Sequence, residues 1–236
     1  KTKKRVNKIY KEIIKAGTHV ADSIKIAEMA KVIENSQRDI NIAFMNEVLL
    51  ICKKLKIDFN EVIRLAKTKW NFLNFRPGLV GGHCLPVDPY YLSSIAAKKN
   101  FKTKIISAGR NINDGMVNYV ISLINNFLKK KNKNIKNSKI MIVGLTYKPG
   151  VADMRNSLNF EIFKKIKSKN NKTLACDPFV GKIYKLKYKI YNSIKNYKKY
   201  DVIIFLSHHS FFEKEYSKII KQNSRKYILD PFNYYF

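Results

Sequence analysis

The chain has 236 residues, 45% of them hydrophobic and 12% aromatic, which suffices for a buried core and excludes a disordered tail. Lysine and arginine number 47 against 17 acidic residues, a net charge of +30, a balance that ordinarily points to nucleic acid or an anionic membrane. Cys52, Cys84 and Cys176 form no C-x-x-C pair, and no apolar run reaches the ~18 residues of a membrane span. A disulfide scaffold, a zinc ribbon and a membrane helix are therefore not expected, and a reducing cytoplasm fits.

The first residue is Lys rather than Met, so the chain reads as a piece of something longer. Apolar residues at 6, 9, 10, 13 and 14 predict a helix over 5–15, closed by Gly17. From Ser23 to Leu55 one long helix is predicted, free of Pro and Gly, with Ser23 as its cap. Apolar residues surround much of it, which predicts burial, including at a subunit interface. It also carries a polar stripe. Lys31 and Asn35 are neighbours at i and i+4, and Arg38 and Asn46 fall close to the same side. Asn46 reads as part of a helix-pairing network. A short helix follows over 59–67, then an aromatic-rich loop over 68–74.

The segment 76–92 has the densest chemistry. Gly78, Gly81 and Gly82 allow positive φ or the close approach of a ligand, and His83 and Cys84 follow directly. Asp88-Pro89 reads as the cap and first position of the next helix, whose partial positive charge lies close to Cys84 and favours an anion there. A nucleophilic thiol explains this arrangement better than an inert cysteine in a turn. Helices are predicted over 89–99 and 107–130, with a Lys/Asn-rich boundary at 129–139.

The last hundred residues alternate strands (139–145, 173–178, 201–207 and 226–230) with helical segments such as 156–167. That rhythm predicts parallel β–α–β units and a Rossmann-like domain, with ligands at the carboxyl ends of the strands, where Tyr147 and Lys148 follow the first one. Asp177 mimics a ribose-binding acid. The Gly144 turn lacks the further glycines of a dinucleotide fingerprint, and no G-x-G-x-x-G occurs in the chain, so dinucleotide binding there is not expected. His208-His209 has no third ligand spaced to join it, so no metal is expected. The lysines are scattered among Asn and Ile, as over 129–134 and 195–199, without a helix-turn-helix, RNP-type strand or basic zipper. They read as solvated faces rather than a nucleic-acid footprint.

Gly81-Gly82-His83-Cys84, with Asp88 four residues on, resembles the active-site segment of the UDP-glucose/GDP-mannose 6-dehydrogenases. Lys69-Trp70-Asn71-Phe72, Phe75-Arg76-Pro77-Gly78 and Asp88-Pro89-Tyr90-Tyr91-Leu92 most resemble the UDP-N-acetylhexosamine branch, and Ala27-Glu28-Met29-Ala30-Lys31 with Asn35 matches as well. The resemblance implies an α/β protein in three parts: residues 1–22 as the tail of a largely missing NAD-binding domain, 23–130 as an all-helical central dimerisation domain, and 131–236 as a Rossmann-like UDP-binding domain. It implies oxidation of a sugar C6 alcohol to a carboxylate with two NAD⁺, through a thiohemiacetal and thioester on Cys84. Lys31 and Asn35 would stabilise the oxygen at C6, and Asp88 would order water or assist proton transfer. Lys31, Asn35, Lys69, Phe75, Arg76, Gly78, Gly81, Tyr147 and Lys148 would hold the UDP-sugar, and Arg155 would reach the NAD pyrophosphate. The basic surface would attract a nucleotide-sugar diphosphate, and the long helix would pair two subunits. Two other classes stay open: a non-catalytic remnant that binds UDP-sugar and dimerises, and a basic nucleic-acid binder.

Overall fold

The computed structural model describes residues 2–184, 186–194, 196–221 and 225–234. Lys1, Lys195 and the last two residues, which fall within the expected ranges, lie outside the described residues.

Helix α1 (Thr2–Ile13) leads through Gly17 to α2 (Ile24–Leu55). The Ser23 hydroxyl accepts the Ile26 N–H at 3.3 Å, which satisfies a first-turn donor as expected. α2 stops where Lys56 turns left-handed at φ 58. Asp58 then caps α3 (Phe59–Ala66) by accepting the N–H groups of Asn60 and Glu61. α4 (Asp88–Ala97) and α5 (Ile105–Lys129) pack on α2. Burial of α2 differs from the sequence expectation. Within this chain it begins only at Asn35, whereas Ile24 and Leu55 are 78% and 63% exposed. α1 is uncovered too, with Val6, Ile9, Tyr10, Ile13 and Ile14 in solvent.

The C-terminal half runs β1 (Ile140–Val143), α6 (Leu158–Lys169), β2 (Leu174–Cys176), α7 (Val180–Ile183), β3 (Ile190–Tyr191), β4 (Val202–Phe205), α8 (Glu213–Lys221) and β5 (Ile228–Leu229). The strands form a parallel sheet in the order β3-β2-β1-β4-β5, with Met141 opposite Leu174 on one side and Ile203 on the other. Both faces are covered, so β1 and β4 are apolar throughout rather than alternating. Ile140 and Ile142 join Phe163 on one side, and Met141 and Val143 meet Phe212, Tyr216 and Ile219 on the other. The first of these clusters is continuous with the helical half through Ile124 and Leu128 of α5 to Leu49 of α2. The strand order reverses between β1 and β4, which leaves a crevice at their carboxyl ends. Strand β3 and helix α8 were not expected from the sequence. β3 is two residues long in a Lys/Tyr-rich stretch, and α8 carries its apolar signal only at Tyr216, Ile219 and Ile220.

Candidate active site

The loop 76–87 is strapped to both halves of the molecule. On the helical side Asn46 brackets Gly78, accepting its N–H at 2.8 Å and donating to its carbonyl at 3.0 Å. The expected helix-pairing role of Asn46 is also met, since its amide donates to Asn113 Oδ1 at 2.9 Å. On the sheet side the Tyr234 hydroxyl donates to the Pro77 carbonyl at 3.0 Å, and Asn156 donates to the Gly82 carbonyl at 3.0 Å. The glycines serve these close approaches. A Cβ on Gly78 would lie 2.4 Å from the Tyr234 hydroxyl, and one on Gly81 would lie 2.8 Å from the Asn156 carbonyl. Gly82, at φ +93, would put a Cβ 2.9 Å from the Tyr147 ring. A side chain at any of the three would run into protein.

Cys84 is half-buried at the end of this strap, and its carbonyl accepts the N–H groups of Val87 and Asp88 at 3.0 and 2.9 Å. Asp88 departs from its expected part. It is the first residue of α4 rather than a side-chain cap, and Val87 precedes it without a capping bond. The carboxylate is engaged elsewhere: Asn35 Nδ2 donates to Asp88 Oδ2 at 2.5 Å, joining α2 to α4 beside the Cys84 turn. Lys31, one turn before Asn35, is exposed and paired with Glu34. The Glu34 carboxylate raises the Lys31 ammonium pKa above its ordinary value, and the charges of Cys84 and Asp88 add to the effect. Asn35 and Asp88 thus meet beside the Cys84 turn, within electrostatic reach of Lys31. Glu34 was not anticipated, and its i+3 spacing from Lys31 was the signal available. Arg38, expected on this side, points to solvent, 3.9 Å from Glu34.

Arg76 and Leu79, from the strap, line a cleft of about 460 Å³ with Tyr147, Pro149, Asn159, Leu206, Ser207, His208 and Tyr234. This volume suits a small ligand, and the cleft lies at the carboxyl ends of β1 and β4. A second cleft of about 400 Å³ lies across Arg76 and Tyr234, with Phe75, Arg64 and Lys67 in its walls. Lys69 is more distant: it lines a groove of about 310 Å³ with Phe72, Phe75 and Phe44. Lys148 is exposed, its ammonium 5.8 Å from the Tyr147 ring centroid.

Arg155 is held by a near neighbour. Its Nη2 and Nε donate to Asp153 Oδ2 at 2.6 and 3.0 Å, and this pairing lowers the Asp153 carboxyl pKa to about 2. Asp177 is fully buried and binds protein. It accepts the N–H of Leu145 at 2.7 Å and that of Phe179 at 2.9 Å. His209, given no role from sequence, is buried beside it. His209 Nδ1 accepts the Gly150 N–H at 3.1 Å, which leaves Nε2 to face Thr146 at 3.2 Å and Asp177 at 3.4 Å. Among the described residues no group of His, Cys, Asp and Glu forms a metal site. The Gly144 turn is closed as well, since a Cβ there would lie 2.6 Å from Ser207 Cβ. The N–H groups of Gly144, Leu145 and Thr146 are taken by the Cys176 carbonyl and the Asp177 carboxylate, so this turn does not offer the free donors of an NAD pyrophosphate seat. No helix among them is long and apolar enough to cross a membrane.

The molecule is thus a parallel sheet with a cleft at its switch point, joined to a helical unit in which Asn35 and Asp88 meet beside the Cys84 turn. Residues 25–115 match the model of the UDP-glucose/GDP-mannose dehydrogenase family central domain, and residues 141–236 match that of its UDP binding domain. The chain belongs to this family. It is 46% identical over 176 residues to a UDP-N-acetyl-D-glucosamine 6-dehydrogenase of Pseudomonas aeruginosa, a match covering 75% of this chain and 42% of the relative. It is 34% identical over 239 residues to a UDP-N-acetyl-D-mannosamine dehydrogenase of Methanococcus vannielii, covering 99% and 53%. The structure of a UDP-D-ManNAc dehydrogenase from Pyrococcus horikoshii superposes with a TM-score of 0.80 at 28% identity, covering 98% of this chain and 53% of that one. The chain spans about half the length of these relatives.

Proposed function

We propose that this chain is the substrate-binding and thiol-bearing part of a UDP-N-acetylhexosamine 6-dehydrogenase that makes uronate precursors of surface polysaccharide in the cytoplasm. The observation that carries the reading is the 2.5 Å Asn35–Asp88 bond beside the Cys84 turn, on a loop that also walls the cleft at the sheet edge. The nucleotide lies between Tyr147, Lys148 and the strap, with Arg76 on the pyrophosphate and Lys69, Phe75, Gly78 and Gly81 shaping the rest of the substrate site. Taking the C6 alcohol to a carboxylate removes two hydrides, which two NAD⁺ accept. The Cys84 thiolate adds to the C6 aldehyde to give a thiohemiacetal, loss of the second hydride turns that into a thioester, and water hydrolyses the thioester to the carboxylate and the free thiol. A thiol is nucleophilic enough to add and a good enough leaving group to be released. Lys31 and Asn35 stabilise the oxygen that becomes anionic, and Asp88, oriented by Asn35, holds the hydrolytic water.

In this reading the NAD seat is supplied by polypeptide beyond these residues, with Arg155 at its border once freed from Asp153. Two copies pair along α2, whose Ile24, Ile26, Ile33, Phe44, Ile51 and Leu55 are exposed. The closed Gly144 turn favours a corollary, that residues 1–236 alone bind but do not turn over. The test follows NADH absorbance with UDP-N-acetylhexosamines, first for the chain alone and then with a family NAD-binding domain fused ahead of it. The expected result is turnover only in the fusion, abolished by Cys84→Ser with nucleotide-sugar binding retained. Ordinary turnover in the fused Cys84→Ser protein rejects the nucleophile, and NADH production by the unfused chain rejects the corollary.

A further inference from the structure

Beneath the Cys84 loop, α2 and α5 share a buried polar ladder that the reaction scheme does not use. Asp39 is fully buried one turn past Asn35, and Arg110 of α5, 3% exposed, donates to its Oδ1 at 2.6 Å. The same guanidinium pairs with Asp114 and lies 5.6 Å from the ring of Tyr90, whose hydroxyl donates to Asp114 at 2.7 Å. Tyr90 is on α4, two residues after Asp88. In the other direction Asn113 donates to the Asp39 carboxylate at 2.7 Å and accepts from Asn46, the residue that brackets Gly78. Asp39 and Arg110 are therefore the middle of one chain of hydrogen bonds whose ends are Gly78 and Tyr90, the two flanks of the Cys84 loop.

The pair is a poor source of stability. Burial raises the Asp39 pKa even against the Arg110 charge. Asp39 Oδ2 and Arg110 Nε are buried with no hydrogen-bond partner among the described residues. Buried ion pairs of this kind are often replaceable by apolar residues without loss of stability. Its distinctive property is that it links both flanks of one loop.

We propose that Asp39 and Arg110 are positioning residues that fix the Cys84 loop from both flanks at once. The inference rests on the reading of Cys84 as the reacting group, but its test does not. Amide hydrogen exchange is measured on the 236-residue chain and on the Asp39→Leu/Arg110→Met double variant. The expected result is a melting temperature close to the parent's, amides of 78–92 exchanging about tenfold faster, and β1 and β4 unchanged. Parental exchange over 78–92 overturns the proposal, and so does an acceleration spread evenly over α2, α5 and the loop, which marks a merely structural role. Arg110→Lys keeps a cation on Asp39 but cannot fork to Asp114. It should restore protection near Gly78 and leave 88–92 fast, and equal exchange at the two flanks counts against the ladder. If the double variant does not fold, Tyr90→Phe, on a residue 53% exposed, decides: faster exchange confined to 88–92 supports the ladder, and parental rates there overturn it. A fused Cys84→Ser protein that still turns over would refute the nucleophile and leave the exchange result standing.

Discussion

The two halves of the molecule use their apolar residues in opposite ways. In the C-terminal half, β1 and β4 are buried at every position and the sheet is covered on both faces within the chain. In the helical half the first eleven residues of α2 include none that is buried, while its interior holds Asn35, Asp39, Asn46, Arg110 and Asn113. The crossovers of a parallel sheet put helices on both of its faces, so its inner strands must be apolar. A helix satisfies its own backbone, so its faces are free to carry a polar network on one side and an uncovered apolar surface on another. The sheet half therefore folds around itself, and the helical half carries the proposed reacting groups and an uncovered apolar surface.

The largest expected effect tests whether the halves are independent. Leu128 is fully buried in the cluster that runs from α2 to β1, so Leu128→Ala should cost ~2–5 kcal/mol. Denaturant unfolding followed by helix and aromatic signals should remain one transition, shifted as a whole. Two separated transitions would make the common core a fiction. Next comes the uncovered face. Phe44 is 59% exposed on α2, and Phe44→Glu should halve the sedimenting mass while leaving the circular dichroism unchanged. A wild-type chain that sediments as a monomer would remove the reason for that surface. The smallest effect is electrostatic. The Asp153 carboxyl lies at about 2 against an ordinary 3.8, so its pairing with Arg155 favours the folded state above pH ~4 and is lost as pH falls toward 2. Asp153→Asn should lower the melting temperature slightly at pH 7, and the difference should vanish near pH 2. A difference that persists or grows at low pH would contradict the pairing.

How much of this was legible in the sequence follows from the range of the interactions. Ser23 caps α2 three residues ahead of its partner, and Asp58 caps α3 over a similar distance, so local spacing was enough. The buried strands announced themselves by composition. The pairing of Asn35 with Asp88 was carried by a family motif, since nothing periodic links positions 35 and 88. The strap partners were not legible: Pro77 meets Tyr234 across 157 positions and Gly82 meets Asn156 across 74. The stripe on α2 led to Arg38, but the buried place belongs to Asp39, one residue on, because its partner Arg110 is on another helix, 71 positions away. Asp88 read as a cap because capping is local, and a distant amide claimed it instead.

In the proposed function the strap and the sheet edge form a single nucleotide site. The most direct measurement is calorimetric titration of the 236-residue chain with UDP, repeated on Arg76→Ala. Arg76 lines the cleft from the helical side and Tyr147 from the sheet side. Saturable heat should appear in the parent and weaken by ~1.5–3 kcal/mol of binding free energy in the variant, the range for a hydrogen bond to a charged group. No heat with the parent, or equal affinity in the two proteins, would contradict it.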